Sequence, residues 1–166
     1  MSANAFTLTS PDIKDGGTID MKYVMNGFGC TGGGVSPALN WSNPPEGTKG
    51  YALTVYDPDA PTGSGFWHWV VANIPASAAG LPQGVSPDGK GLPAGAIQTR
   101  TDGGGGTGYL GPCPPAGDKP HRYIFTIYAL KTDKLDVNAD ASGALVGFNI
   151  HFAQIGKASF QATFGR

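Results

Sequence analysis

Short apolar runs, each closed by Gly, Pro, Asp or Asn, follow one another along this chain. They are AFTLT near the start, YALTVY at 51–56, WHWVVAN at 67–73, AIQTRT at 96–101 and RYIFTIYAL at 122–130. Each is brief and rich in β-branched or aromatic residues, which predicts strands separated by turns. Near the end KASFQATF alternates, with Ala158, Phe160, Ala162 and Phe164 on one face and Lys157, Ser159, Gln161 and Thr163 on the other. That period of two predicts a half-buried strand. One segment has a helical period instead. From about 140 to 155, Leu145, Phe148, Phe152 and Ile155 recur three or four residues apart, with Asp140 as N-cap and Gly156 as stop. Gly143 and Gly147 weaken that helix by up to about 1 kcal/mol each. Many short strands, long Gly/Pro connections and one helix predict a mainly β fold: an antiparallel β-sandwich of two sheets with a short helix near the C-terminus. The chain carries no internal repeat and no domain boundary, so all 166 residues are read as one domain.

Composition supports that picture. The 27 glycines and 14 prolines border the range of disordered chains, but 40% apolar and 10% aromatic residues lie in the runs between them. Turn-rich β structure accounts for this better than disorder. The formal charge is −1 and no lysine or arginine cluster occurs, so the footprint needed for nucleic acid is missing. No apolar stretch is long enough for stable membrane insertion. The start MSANAFTLTSPDIKDGG shows no basic segment followed by an apolar one. A cytoplasmic protein is expected, or a periplasmic one if a signal peptide has been removed. Two cysteines, Cys30 and Cys113, are too few for a disulfide scaffold, and free thiols are favoured over a single bridge. Asn40-Trp41-Ser42 matches a glycosylation acceptor, a pattern common by chance.

Several motifs fail on context. Gly103, Gly105 and Gly108, like Gly27, Gly29 and Gly32, fit GxGxxG. A dinucleotide loop needs a helix directly after it, which Pro112, Pro114 and Pro115 forbid in one case and GGGVSP in the other. GVSPDGKG approaches a P-loop, but Gly91 stands where the magnesium-binding Ser or Thr belongs. No serine sits in a GxSxG elbow.

The chemistry concentrates on two of the three histidines. His68 follows Asp57-Pro58-Asp59-Ala60-Pro61, whose prolines fix the backbone around one or two carboxylates. The connection is short enough to return to a neighbouring strand, so Asp57 and His68 are expected to pair, the carboxylate raising the imidazole pKa. His121 follows Tyr109-Leu110-Gly111-Pro112-Cys113-Pro114-Pro115, a stiff turn offering amide donors at Gly111 and Cys113. His121 and Tyr123, two apart on a strand, share a face. Imidazole, phenol and amide donors around one hollow suit a phosphate or phosphomonoester.

In these stretches the sequence resembles the phosphatidylethanolamine-binding protein family, also called the Raf kinase inhibitor-like family, most closely its bacterial branch. DPDAP, HWVVANIP, GYLGPCPP, HRYIFTIYAL and GALVGFNIHF occur in the family's order and spacing over nearly the whole chain. The resemblance implies a β-sandwich with a small anion-binding pocket at one end. On its motifs Asp57 and His68 match the first site element, Gly111, Pro114, His121 and Tyr123 the second, and Pro61 and Tyr109 flanking positions. Eukaryotic members of the family bind phospholipid head groups and regulate kinases or flowering complexes. This chain departs from them in Phe66-Trp67 before the histidine and in its Pro-Cys-Pro-Pro turn. The family's C-terminal gating helix is not recognisable beyond 140–155.

The leading expectation is therefore a non-catalytic binder of a small anionic ligand, phosphate or phosphoethanolamine-like, with no cofactor and an unidentified kinase, protease or other protein partner. A homodimer is carried as an option. The alternative is a hydrolase acting on esters or phosphoesters with a histidine general base. Two histidines and a carboxylate could also form a facial triad for iron, but the prolines, tyrosine and backbone donors suit an anion better, and no metal is expected.

Overall fold

A computed structural model describes residues 4–166. The expectation drawn from the N-terminal stretch falls partly on residues 1–3, outside the described residues. In chain order the elements are β1 (Thr7–Thr9), a 3-10 turn (Met21–Tyr23), β2 (Asn26–Gly27), β3 (Cys30–Thr31), β4 (Leu39–Ser42), β5 (Gly50–Asp57), β6 (Phe66–Pro75), β7 (Gly80–Leu81), β8 (Ile97–Gln98), β9 (His121–Leu130), α1 (Gly143–Ala153) and β10 (Gln154–Phe164). All strand pairs are antiparallel. A five-stranded sheet in the order β10-β9-β5-β6-β8 faces a three-stranded sheet, β1-β4-β7, and β2 and β3 form a separate hairpin.

The two faces of the large sheet are buried by different partners. Tyr51, Leu53, Val55, Trp69, Val71, Phe125, Ile127 and Phe160 meet Leu8, Leu39, Trp41 and Leu81 from the small sheet in the main core. On the other face, Ala52, Val70, Ala72 and Leu130 meet Val146, Ile150 and Ala153 of α1. Because both faces of β5 and β6 are covered, these strands read as apolar runs rather than alternations. The alternation seen in β10 matches its single buried face: Ala158, Phe160, Ala162 and Phe164 are buried, and Phe160 stacks on its cross-strand partner Phe125 at 4.8 Å.

The helix differs from its expected form in caps and orientation. Its N-cap is Ser142, which accepts from the Leu145 amide, rather than Asp140, and it runs directly into β10 at Gln154, before Gly156. Leu145, Phe148 and Phe152 are exposed, at 48%, 63% and 62%, while Gly143, Val146, Ile150 and Ala153 are buried. The segment carries two apolar faces, and the one with small residues packs. A Cβ at Gly143 would lie 2.4 Å from Trp67 Cγ, so only that face lets the helix approach the sheet closely.

The strand expected over 96–101 shrinks to Ile97–Gln98, after which only an isolated bridge joins Arg100 to Thr107. Strands β2, β3, β4 and β7, two to four residues each, had no sequence signal strong enough to single them out. The expectation of free thiols is also corrected: Cys30 and Cys113 are disulfide-bonded. The Met25 amide donates to the Pro112 carbonyl, which lays the segment before the β2–β3 hairpin against the proline-rich turn and brings the two cysteines within 5.9 Å, Cα to Cα.

Candidate functional site

His68 reaches the core side of the sheet through a β-bulge. Val55 pairs with Trp69 but Tyr56 pairs with Trp67, so His68 is the extra residue in β6. Strict alternation would put Trp67 and Trp69 on one face and His68 on the other. The bulge re-aims them: Trp69 enters the main core, Trp67 packs on Tyr56 at 4.4 Å on the opposite side, and the His68 ring lies 5.2 Å from that of Tyr123. The His68 Nδ1–H donates to the Leu110 carbonyl at 2.9 Å, while the Leu110 amide donates to the His68 carbonyl. Nε2 carries no hydrogen bond among the described residues.

Asp57 does not pair with His68. Its Oδ2 accepts from His121 Nδ1 at 2.7 Å, and its Oδ1 from the Asp59 amide at 2.8 Å. β5 lies between β6 and β9, so a carboxylate at its end has a histidine on either side. The 109–115 turn has already taken the nitrogen on the β6 side. His121 Nε2 donates in turn to Asp118 Oδ2 at 3.0 Å. Carboxylates only accept, so a ring that bonds two of them through both nitrogens is favoured in its protonated, imidazolium form. The neighbouring Asp59 binds Arg122 through Nε, Nη2 and the backbone amide, tying the DPDAP turn to β9. Those hydrogen bonds hold its carboxyl down at about 2 against the opposing effect of burial.

A cavity of about 340 Å³ opens over these groups. Asp57, His68, His121 and Tyr123 line it together with Pro61 and Pro114, so six of the eight residues singled out in the sequence converge. Tyr109 and Gly111 do not line it. The Tyr109 hydroxyl donates to the Tyr23 carbonyl at 2.6 Å and its ring packs edge-on against Trp69. Gly111 is a point of close approach: a Cβ there would sit 2.4 Å from both the Met25 nitrogen and the Tyr23 oxygen. Gly111→Ala is therefore expected to cost about 2 kcal/mol by overpacking against backbone that cannot rotate away. Urea midpoints test this; an unchanged midpoint would contradict the contact.

The cavity also holds residues that sequence reasoning missed. Met25, Phe28 and Phe66 supply apolar wall, and Asp102 supplies a further carboxylate, whose Oδ2 accepts from the Trp67 amide. Nothing local marks Asp102; the 100–107 loop folds back over the start of β6 and delivers it. Two hydroxyl-bearing residues belong to the lining, Thr62, which donates to the Gly65 carbonyl, and Tyr123. Tyr123 is 1% exposed, and its hydroxyl has no hydrogen-bond partner among the described residues. Burial, reinforced by the Asp57 charge, pushes its pKa up, so it stays a neutral donor. The one lining cysteine, Cys113, is oxidised. No group of three or more metal-ligating side chains occurs among the described residues.

The two imidazoles titrate in opposite directions. Burial holds His68 below its ordinary value, outweighing the pull of the Leu110 carbonyl and of nearby carboxylates. Burial opposes charge on His121 as well, but hydrogen bonds to Asp57 and Asp118 win and raise it. Both rings titrate near 6.5 when unfolded, to a first approximation. Below that pH the unfolded chain protonates at position 68 before the folded one does, so stability falls as pH falls. The His121 contribution is complete below about 6.5 and is lost as pH rises through its raised folded value. The expected stability profile therefore peaks near pH 6.5. His68→Phe flattens the acid arm and Asp118→Asn weakens the alkaline arm. Urea midpoints from about pH 5 to 8 measure both arms, and a monotonic profile would refute the assignment.

These features define a class: a two-sheet antiparallel β protein with a cavity walled by proline and aromatic side chains over a tyrosine and two histidines whose pKa values shift in opposite directions. The chain belongs to the phosphatidylethanolamine-binding protein family, whose model matches residues 9–165. Among its relatives, the UPF0098 protein YbcL of Escherichia coli is 52% identical over 163 residues, covering 98% of this chain and 88% of that protein. Escherichia coli YbhB is 51% identical over 157 residues, covering 95% of this chain and 98% of the relative. The crystal structure of Escherichia coli YbcL, described as a new member of the mammalian PEBP family, matches with a TM-score of 0.94 at 50% identity, over 97% of this chain and 98% of that one. A family homologue from Chlamydia trachomatis matches at a TM-score of 0.81 and 30% identity over 99% of each chain.

Proposed function

We propose that this protein is a non-catalytic binding protein whose cavity takes the phosphoryl or similar small anionic head of a ligand, with regulation of a protein partner as its downstream role. The observation that carries this reading is the hydroxyl of the lining residue Tyr123, buried beneath the cavity surface without a partner among the described residues. A buried unpaired hydroxyl costs about 1–3 kcal/mol, and a ligand oxygen accepting from it removes that cost. His68 Nε2 is the second open group, and protonation beside an anion turns it into a donor. His121 differs: its donors are already held by Asp57 and Asp118, so its role is to fix the floor and carry positive charge there. Among the described residues the cavity shows no hydrogen bond between a base and a nucleophile, which supports binding over hydrolysis.

Titration with phosphate and phosphoethanolamine, followed by NMR at His68 and Tyr123, is expected to shift both rings. Tyr123→Phe should raise stability by about 1 kcal/mol and weaken phosphate binding about tenfold. Unshifted rings in the parent protein would reject the reading. As to location, the Cys30–Cys113 bridge supports the periplasmic alternative over the cytoplasmic one, because disulfides persist in oxidising compartments. Alkylation of thiols during cell lysis tests this: a protein trapped with two alkylated cysteines is cytoplasmic.

A further inference from the structure

At the cavity, the β2–β3 hairpin turns through Phe28 and Gly29, a two-residue loop closed by the pair Gly27↔Cys30 next to Asn26↔Thr31. Both turn residues have positive φ, 52° at Phe28 and 86° at Gly29. A two-residue turn of that kind strongly favours Asn, Asp or Gly at its first position, because a left-handed backbone crowds any larger side chain. Phe28 is also 78% exposed, more than any other exposed large apolar side chain among the described residues, and it is one of the residues lining the cavity. An aromatic residue here thus costs the free protein twice, in backbone strain and in solvent-exposed apolar surface. Strain of this sort persists where the surroundings enforce it, commonly at ligand clamps.

The surroundings do enforce it. Cys30, two residues on, is bonded to Cys113, itself a lining residue of the cavity. Arg166 bridges the same two elements, donating through Nε to the Pro114 carbonyl at 2.7 Å and through Nη1 to the Gly29 carbonyl at 3.4 Å. The hairpin tip is therefore held above the proline-rich turn, with Met25, Phe66, Pro114 and Pro115 in the lining below.

We propose that Phe28 is a specificity-determining residue that packs on the organic part of the ligand, so that the cavity selects phosphomonoesters of apolar alcohols, aryl or alkyl, over inorganic phosphate and small hydrophilic phosphate esters. This rests on the reading that the floor takes a phosphoryl group. The polar floor and the apolar rim then serve the two ends of one molecule. An aromatic contact on a ligand ring is worth about 0.5–1.5 kcal/mol, or up to about tenfold in affinity.

Calorimetric titration of the oxidised protein with inorganic phosphate, phosphoethanolamine and phenyl phosphate tests the proposal, alongside Phe28→Asn and Phe28→Ala. In the parent protein, phenyl phosphate is expected to bind about tenfold tighter than the other two. Phe28→Asn, which suits the left-handed turn, should unfold at a higher urea concentration than the parent, lose about tenfold in affinity for phenyl phosphate, and hold inorganic phosphate within about twofold. Phe28→Ala should show the same selective loss without the gain in stability. Equal affinities for the three ligands in the parent, or an unchanged preference in both variants, overturns the role of Phe28 while leaving the phosphoryl site standing. If no ligand shifts His68 or Tyr123, the phosphoryl site fails and this proposal fails with it.

Discussion

Asp57→Ala is expected to lower the unfolding free energy by about 4 kcal/mol near pH 6, because it strands an imidazolium in the protein interior. Both partners have only 4% of their side-chain surface exposed, and their contact is 2.7 Å. The substitution also strips the Asp59 amide of its acceptor, loosening the turn that carries Pro61 to the cavity. Asp118 still accepts from the other nitrogen, but its side chain is 40% exposed and its contribution is screened by water. Asp57→Asn keeps an oxygen for the Asp59 amide and preserves volume, so about half the loss is expected. Two measurements check this. Urea midpoints should fall in the order parent, Asn, Ala, and NMR should show the His121 pKa dropping toward its ordinary value in both variants. Above the folded pKa of His121 the ring is neutral, and the loss should shrink. A loss below about 1 kcal/mol for Asp57→Ala at pH 6 would show that the pair is not the buried ionic contact described.

Reduction of the Cys30–Cys113 bridge is expected to cost a similar amount. The two residues are 83 positions apart, and cross-linking a loop of that size removes enough unfolded-state entropy to stabilise the fold by about 4 kcal/mol. The hairpin keeps other ties to the proline-rich turn, through Arg166, which donates to both Gly29 and Pro114, and through the adjoining Met25 amide to Pro112, so the folded state survives reduction. Urea unfolding with and without reductant measures the effect. A Cys30→Ser, Cys113→Ser double variant should show the reduced midpoint under both conditions. Identical midpoints for the oxidised and reduced protein would mean that the bridge does not restrict the unfolded chain. Reduction should also lower affinity for phenyl phosphate more than for inorganic phosphate, because the freed hairpin holds Phe28 less firmly over the rim.

The long strands and the alternating face of β10 were legible in the amino-acid order because they are local properties: side chains repeat every second residue on a strand, and Gly or Pro ends the run. The convergence of Asp57, Pro61, His68, Pro114, His121 and Tyr123 was expected too, but chiefly through the resemblance to the family's motifs; the residues themselves showed the shared face of His121 and Tyr123. What sequence left undecided is pairing between distant segments. It could not say which of two histidines Asp57 would meet, because that depends on β5 lying between β6 and β9 and on Leu110 occupying the His68 nitrogen first. It could not foresee the bulge that turns His68 inward, since one extra residue in β6 is visible only against the register of β5. The helix has two apolar faces, and only the close approach of Gly143 to Trp67 decides which one is buried. The disulfide, the rim position of Phe28 and the arrival of Asp102 likewise come from loops brought together across the fold. Periodicity and turn chemistry act over a few residues and are written in the chain; partner choice is a competition among contacts separated by tens of residues, and only the tertiary structure decides it.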